Sequence, residues 1–161
     1  MLWTLENYFH ILLPASAKFT SLRLANVYGP RQDPAGEAGV VAIFAQKMLD
    51  GKDVKIFGDG DQSRDFVYVK DVAESVIAVL ETQTQGDINI GSGAQTSVNE
   101  IFEQLSVEIG YTKKPIYESE REGDIRHIYL NVEKAEEALG WTAHMNLEDG
   151  LKHTVNVLRA K

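Results

Sequence analysis

The stretch TSLRLANVYGPRQ, residues 20–32, decides the fold, because an extended apolar segment runs there into a polar turn with glycine and proline. Residues 20–25 predict a strand with Leu22 and Leu24 on one side. Residues 26–39 predict the loop that follows it. In open α/β sheets, ligands gather beyond the carboxyl ends of the strands. We therefore expect a binding site where this strand ends.

The rest of the chain alternates between helical and extended periodicity, which is typical of a mixed α/β domain. Helices are predicted at 1–13, 40–50, 71–80, 97–109, 131–139 and 147–158. Extended segments are predicted at 54–57, 65–69, 87–90, 115–117 and 126–129. Two helices open with the spacing of capping pairs, Asp71 with Glu74 and Ser97 with Glu100. A parallel sheet is normally covered on both faces, and the strand at 20–25 has too few partners for that. We expect that the chain either dimerises there or was cut from a longer protein.

The composition is that of an ordinary folded domain, with 161 residues of which 43% are hydrophobic and 25% charged. A chain of this length can bury roughly two thirds of its unfolded surface. Its net charge of −8 argues against a nucleic-acid partner, which clustered Lys and Arg would bind. Without cysteine it has no disulfide or thiolate chemistry. No apolar stretch approaches the roughly 20 residues of a membrane helix, so we expect a cytoplasmic protein with no membrane partner.

Arginines in two separated segments are the candidate anion ligands. Arg64 precedes a predicted strand, and Arg121 and Arg126 lie in a later loop. Two guanidinium groups from distant segments could hold a diphosphate through paired hydrogen bonds. The alternative is that Arg64 forms a surface ion pair with Asp61 or Asp65. Both interpretations stay open on the sequence alone.

Three further features have a functional and a structural interpretation. Asn26 could donate to a phosphate and accept from a hydroxyl, or it could support a turn. Phe57 could stack on a planar base, although an aromatic residue at a strand end is more often core. Asp124 could accept ribose hydroxyls, or it could be a turn residue beside Gly123.

No metal site is proposed. The segment 59–70 superficially resembles a calcium loop, but Arg64 stands where glycine is required and Lys70 where a bidentate glutamate belongs. The four histidines have no metal-ligand spacing. We expect them to be solvated or structural.

Two motifs of redox enzymes are missing from the sequence. No Gly-x-Gly-x-x-Gly run follows a strand, so no helix N-terminus is prepared for the pyrophosphate of a dinucleotide. None of the six tyrosines has a lysine four positions later, and a phenol needs such a cation to act as a base near neutral pH. The sequence therefore predicts no catalytic residue.

The motifs together resemble the C-terminal half of the extended short-chain dehydrogenase/reductase family, and most closely its bacterial UDP-glucose 4-epimerase branch. The matching segments, in the family's order, are 26–32, 36–44, 56–69, 89–93, 96–100, 121–126 and 139–141. The resemblance covers essentially the whole chain and is specific as a combination. Single motifs are shared with nucleotide-sugar dehydratases and decarboxylases.

The resemblance implies an α/β fold that is the substrate-binding portion of such an enzyme and lacks most of the Rossmann sheet. Residues 1–25 would be a residual helix and strand of the truncated Rossmann domain, and residues 26–161 the nucleotide-sugar-binding domain. The implied substrate-binding residues are Asn26, Val40, Val41, Lys55, Ile56, Phe57, Arg64, Phe66, Arg121 and Asp124. Within this set, segment 55–57 would receive uracil. The backbone near Tyr28 and Pro30 would approach the nicotinamide of NAD.

Individual roles also follow from the resemblance. Asn26, Arg64 and Arg121 would contact the diphosphate. Val40 and Val41 would line the nucleotide pocket. Asp124 would hold the ribose.

The implied function is the UDP-sugar-binding part of an NAD-dependent enzyme that interconverts UDP-glucose and UDP-galactose. The family's Tyr-x-x-x-Lys and glycine-rich turn would lie before residue 1, since aligning Glu6 with the family's glutamate puts Leu2 at the lysine position. We therefore expect the chain to be inactive alone. The alternatives are the same half of a related dehydratase or decarboxylase, and a standalone non-catalytic nucleotide-sugar-binding protein.

The first predicted helix is the expected self-association surface. In the family, the helix containing Tyr8 would pair with the same helix of a second subunit. The apolar residues expected to be exposed there are Leu5, Phe9, Leu12 and Leu13. We therefore predict a homo-oligomer.

Overall fold

Helices and short strands alternate along the chain in the computed structural model, which describes residues 2–14, 16–34 and 39–160. The helices are α1 (Leu2–Leu12), α2 (Val40–Leu49), α3 (Val69–Thr82), α4 (Val98–Ile109), α5 (Glu133–Leu139) and α6 (Leu147–Arg159). The strands are β1 (Thr20–Leu24), β2 (Asn26–Tyr28), β3 (Lys55–Phe57), β4 (Ser63–Arg64), β5 (Phe66–Tyr68), β6 (Gly86–Ile90), β7 (Thr96–Ser97) and β8 (Ile116–Glu118). This order confirms the mixed α/β class.

The strands form pairs, and the pairing partner of the chain changes from β6 to β5 where β1 ends and β2 begins. β1 is parallel to β6, β2 is parallel to β5 and β3 is parallel to β8, whereas β4 and β7 are antiparallel. The amide of Ala25 still donates to the carbonyl of Ile90 at 2.8 Å, but the next amide, of Asn26, donates to Asp65 at 2.9 Å. The two neighbouring strands β6 and β5 therefore separate at the carboxyl end of β1. Ligands of α/β sheets bind at such positions.

Two apolar clusters hold these elements together. The first joins α2, α4 and α6 to β2, β3 and β5, with Ile101, Leu105 and Leu151 almost fully buried. The second lies against β1 and β6 and includes Trp141, whose indole nitrogen donates to the carbonyl of Asp71 at 3.0 Å. Burying each large apolar side chain contributes about 1.5 to 3 kcal/mol. The first cluster also forms one wall of the candidate site.

The start of α4 confirms the second predicted capping pair. The amide of Glu100 donates to the Ser97 hydroxyl at 3.1 Å, and the Glu100 carboxylate accepts from the Ser97 amide at 2.6 Å. The helix ends at Gly110, whose φ of 78° suits glycine.

The first predicted capping pair is wrong. β5 leads directly into α3, which begins at Val69 after Tyr68, and no side chain caps it. Asp71 is instead buried in the first turn, and its carboxylate accepts a hydrogen bond from the Met145 amide at 3.0 Å. Burial of Tyr68 fixes the helix start earlier than the local pattern indicates.

Two further predictions fail in part. The predicted loop at 26–39 begins with the strand β2, while residues 35–38 lie outside the described part of the chain. The predicted extended segment at 126–129 makes one isolated bridge, between His127 and Ser63. Both differences arise from pairing with distant segments.

The α1 helix carries exposed apolar side chains. The exposed fraction is 45% for Phe9 and 73% for Leu12, and Tyr8 and Ile11 are also exposed. Leu13 is only half-buried, and the side chain of Leu5 lies outside the described residues. Among the helices described, none has both the length and the apolar character needed to cross a bilayer.

Replacing Ser97 by alanine is expected to lower the free energy of unfolding by about 1 kcal/mol, because the Glu100 amide loses its acceptor. Urea denaturation with a fluorescence readout measures the change. Thr96→Ala, one residue before the cap, is the control. Equal stabilities of the Ser97 and Thr96 variants would contradict the capping role.

Candidate functional site

A cavity of about 480 Å³ lies next to β2, the strand at which the pairing partner changes. It is bounded by β2, α2, β3, β4 and the loop after β8. The structure brings all of the substrate-binding candidates to this one cavity, namely Asn26, Val40, Val41, Lys55, Ile56, Phe57, Arg64, Phe66, Arg121 and Asp124. Their binding roles remain predictions, but their proximity is a structural fact.

The wall of the cavity is apolar because it is one side of the first core cluster. Val41, Phe44 and Ile56 are buried residues of that cluster that line the cavity. Asn26 also lines the cavity. It is the first residue of β2 and is therefore a strand residue and not a turn residue. An apolar wall with a few polar groups at its edge suits an organic ligand with a charged part.

Arg64 is ion-paired with Asp124, and neither predicted alternative partner is correct. One guanidinium nitrogen contacts the Asp124 carboxylate, and the other donates to the carbonyl of Ser63 at 2.8 Å. Asp61 instead accepts from the side-chain amide nitrogen of Asn99 at 3.0 Å. The buried Asp65 carboxylate accepts hydrogen bonds from Ser92, Gly93 and Leu130. The sequence could not show this pair because its members lie far apart along the chain.

Arg121 brings a positive charge to the same cavity. Its guanidinium carbon lies 3.9 Å from the centroid of the Phe57 ring, which is a cation–π contact. Phe57 is therefore a half-buried residue of the cavity and not a core residue. Within the part of the chain that the structure describes, Arg121 has no carboxylate partner. It is available to an anion.

Lysines at the cavity differ in their pairing. Lys55 contacts the Glu118 carboxylate at 2.6 Å, and this hydrogen bond raises the pKa of Lys55. Lys47 also lines the cavity, and sequence reasoning missed it. Its spacing from Val40 and Phe44 on α2, seven and three residues, places all three on one helix face and could have revealed it.

The loop 119–128 is held over the cavity by a second set of contacts. The Arg126 guanidinium donates to both oxygens of Asp59, at 2.6 and 2.8 Å. The amide of Ser63 donates to the carbonyl of Arg126 at 2.9 Å, and the Ser63 hydroxyl lies 2.9 Å from Nδ1 of His127. Arg126 is paired with Asp59 and, unlike Arg64 and Arg121, does not line the main cavity. The candidate diphosphate ligands therefore narrow to Arg64 and Arg121.

The Arg126 hydrogen bonds, aided by the Asp61 amide, hold the pKa of Asp59 down to about 2 from an ordinary 3.8. We expect the Asp59 carboxyl to titrate near pH 2 and to move towards its ordinary value in Arg126→Met. A folded pKa below the unfolded one means that the pair's stabilisation is complete above about pH 4 and is lost as the pH falls through about 2. Carboxyl ¹³C NMR measures the midpoint, with Arg159→Met as control; an unchanged midpoint in Arg126→Met would refute the pairing.

The two predicted cofactor residues differ in their relation to the cavity, which Tyr28 lines. Tyr28 is almost fully buried, its ring packs edge-on against Phe66 and Tyr68, and burial raises its pKa above the ordinary range. A Cβ on Gly150 would lie 2.1 Å from the Tyr28 hydroxyl, so this side chain is fixed against α6. Pro30 does not line the cavity.

Two strand-to-helix junctions among the described residues lack the glycine turn that holds a dinucleotide. β5 passes directly into α3 without a glycine turn, and β7 passes into α4 through the Ser97 cap. Neither junction offers the open helix N-terminus that a pyrophosphate requires. In the described part of the chain, no group of three His, Asp or Glu residues could hold a metal ion.

Comparison with known proteins assigns the family. The model of the NAD dependent epimerase/dehydratase family matches residues 10–91, which is half of the chain. The chain belongs to this family. A Methanocaldococcus jannaschii protein provisionally named as a UDP-glucose 4-epimerase is 48% identical over 142 residues, which are 88% of this chain and 46% of that protein. The chain thus spans about half the length of the curated relatives it matches.

Solved structures of epimerase/dehydratase family members have the same fold. The UDP-glucose 4-epimerase of Thermotoga maritima, solved with UDP-glucose, matches with a TM-score of 0.93 at 47% identity, over 98% of this chain and 52% of that one. The UDP-glucose 4-epimerase of Thermus thermophilus, solved with NAD, matches with a TM-score of 0.83 at 36% identity, over 98% of this chain and 51% of that one. These matches confirm the predicted family and the partial α/β fold.

Proposed function

We propose that the chain is the UDP-sugar-binding part of an NAD-dependent UDP-glucose 4-epimerase, a cytoplasmic enzyme that interconverts UDP-glucose and UDP-galactose. The observation that carries this proposal is the meeting of Arg64 and Arg121, from separate segments, at one cavity. All the proposed substrate ligands lie within 26–161, which supports treating that range as the nucleotide-sugar-binding domain and 1–25 as a remnant of a Rossmann domain.

The diphosphate would bind between the two arginines. Arg121 has no carboxylate partner among the described residues, whereas Arg64 would exchange Asp124 for phosphate oxygens. This exchange releases the Asp124 carboxylate, which then accepts hydrogen bonds from ribose hydroxyls. One ion pair of the free protein thereby supplies two ligands for the nucleotide.

The nucleobase would lie along β3. The Val54 carbonyl and the Gly58 amide bond to β8. By strand alternation, the backbone groups of Lys55 and Phe57 face the other edge, where the cavity lies. On this edge the Phe57 carbonyl already accepts from the Gln62 side chain at 2.8 Å. The other backbone groups of Lys55 and Phe57 would offer hydrogen bonds to uracil, and the Phe57 ring a flat apolar contact.

The chain alone is proposed to be inactive. No tyrosine has a lysine four positions later, so no phenol of this chain has the cation that would make it a base. NAD, bound by other parts of a family enzyme, would supply the hydride chemistry. The exposed apolar residues of α1 support self-association through that helix.

The expected result of titrating the chain is weak but saturable binding of UDP, and no binding of NAD at micromolar concentration. The physical reason is that only part of each ligand's surroundings is present among these residues. NMR shift titration measures the UDP affinity and calorimetry the NAD affinity. Micromolar NAD binding would contradict the proposal.

The exact activity is assigned by assaying the enzyme that the whole gene encodes. If a Tyr-x-x-x-Lys segment precedes residue 1, that enzyme is expected to convert UDP-galactose into UDP-glucose. Release of CO₂ from UDP-glucuronate would assign a decarboxylase instead. A gene without such a segment would favour a non-catalytic nucleotide-sugar-binding protein.

A further inference from the structure

Only one end of the Gln62 side-chain amide makes a hydrogen bond within the described part of the chain. Its nitrogen donates to the carbonyl of Phe57 at 2.8 Å. Because that carbonyl needs a donor, the orientation of the amide is fixed and its oxygen points elsewhere. The oxygen is buried and accepts no hydrogen bond from any residue in the described ranges. A buried acceptor without a donor costs free energy that a ligand can recover.

Gln62 lies at the end of the cavity assigned above to the nucleoside. It lines the main cavity with Phe57 and Asp124. The same three residues border a second space of about 10 Å³ under the 119–128 loop, which is close to the volume of one water molecule. With the nucleoside placed along β3 as proposed, a group that reaches Gln62 would come from the base or the ribose and not from the hexose.

We propose that Gln62 determines specificity for the nucleoside, its oxygen accepting a hydrogen bond from the uracil imide N–H or from the ribose 2′-hydroxyl. This inference rests on the proposed function. A ligand with no donor at that position leaves the oxygen unpaired, and buried unpaired groups are a strong source of discrimination. The fixed amide nitrogen prevents Gln62 from turning round to bind an acceptor instead.

The test measures dissociation constants by NMR for UDP, N3-methyl-UDP and 2′-deoxy-UDP on the 161-residue chain. We expect one of the two analogues to bind about 10-fold more weakly than UDP, the scale of one hydrogen bond. The weaker analogue identifies the donor. Gln62→Met is expected to bind UDP and that analogue equally. The matched control is Gln104→Met, since the Gln104 oxygen is also buried without a partner among the residues described but lies outside the cavity. This variant is expected to keep the preference.

A preference that survives in Gln62→Met, or equal binding of all three ligands to the wild type, would overturn the inference. If Gln62→Met does not fold, the ¹³Cδ resonance of Gln62 in the wild type decides: it is expected to shift with UDP and less with the weaker analogue, and equal shifts would overturn the inference. Absence of any UDP-induced shift at Arg64, Arg121 and Asp124 would contradict the proposed function as well. Shifts there without a role for Gln62 would contradict this inference alone.

Discussion

Asp65→Ala is expected to lower the free energy of unfolding by about 3 to 5 kcal/mol, because it removes a buried carboxylate that accepts four hydrogen bonds. The Asp65 carboxylate is 2% exposed. It accepts hydrogen bonds from the Ser92 amide at 2.8 Å, the Ser92 hydroxyl at 2.7 Å, the Gly93 amide at 3.1 Å and the Leu130 amide at 3.3 Å. It thus ties β4 and β5 to two other segments.

Urea denaturation of matched variants measures this effect. Asp53→Ala is the control, because the Asp53 carboxylate is 58% exposed and pairs with Lys113 at the surface. Such exposed pairs contribute about 0 to 1 kcal/mol. Asp65→Asn should fall between the two, since one amide oxygen still accepts while the amide nitrogen faces other donors. A loss in Asp65→Ala no larger than that in Asp53→Ala would contradict the structural role of Asp65.

Arg64→Ala is expected to weaken UDP binding by about 1.5 to 3 kcal/mol, or roughly 10- to 150-fold, the range of charge-assisted hydrogen bonds. Arg64 is part-buried, with 21% of its side chain exposed, so its contact with a phosphate is only partly screened by water. Arg64→Lys should recover part of the affinity, because lysine keeps the charge but loses the planar pair of donors.

The dissociation constant of UDP, from NMR shift titration, measures the effect of the Arg64 variants. Lys70→Ala removes a positive charge from an exposed position on α3, where the side chain is 73% exposed. It controls for the change in net charge. Equal affinities of the Arg64 and Lys70 variants for UDP would mean that Arg64 does not bind phosphate and only forms an ion pair with Asp124.

Elements that depend on local pattern could be predicted from the sequence. The α4 helix was predicted because the Ser97 cap and the apolar stripe through Ile101 and Leu105 are all local. The start of α3 could not be, because Tyr68 is buried by contacts with distant residues. The strand β2 is likewise defined by pairing with β5, which begins about forty residues later.

The candidate site shows the same division. The resemblance to the family selected residues that share one cavity, because their identities are tied to motifs. The ion pair between Arg64 and Asp124 could not be predicted from the sequence, because Asp61 and Asp65 lie nearer to Arg64 along the chain. Gln62 gave no chemical signal in the sequence either, because its proposed role depends on a buried oxygen that accepts no hydrogen bond from the residues that the structure describes.

The central claim is that two guanidinium groups from separate segments bind one pyrophosphate. A crystal structure of the chain with UDP tests it most directly. The account predicts that Arg64 and Arg121 both lie within about 3.2 Å of oxygens of the same pyrophosphate, with Asp124 on the ribose. UDP bound outside the cavity, or a pyrophosphate that touches neither arginine, would contradict the account.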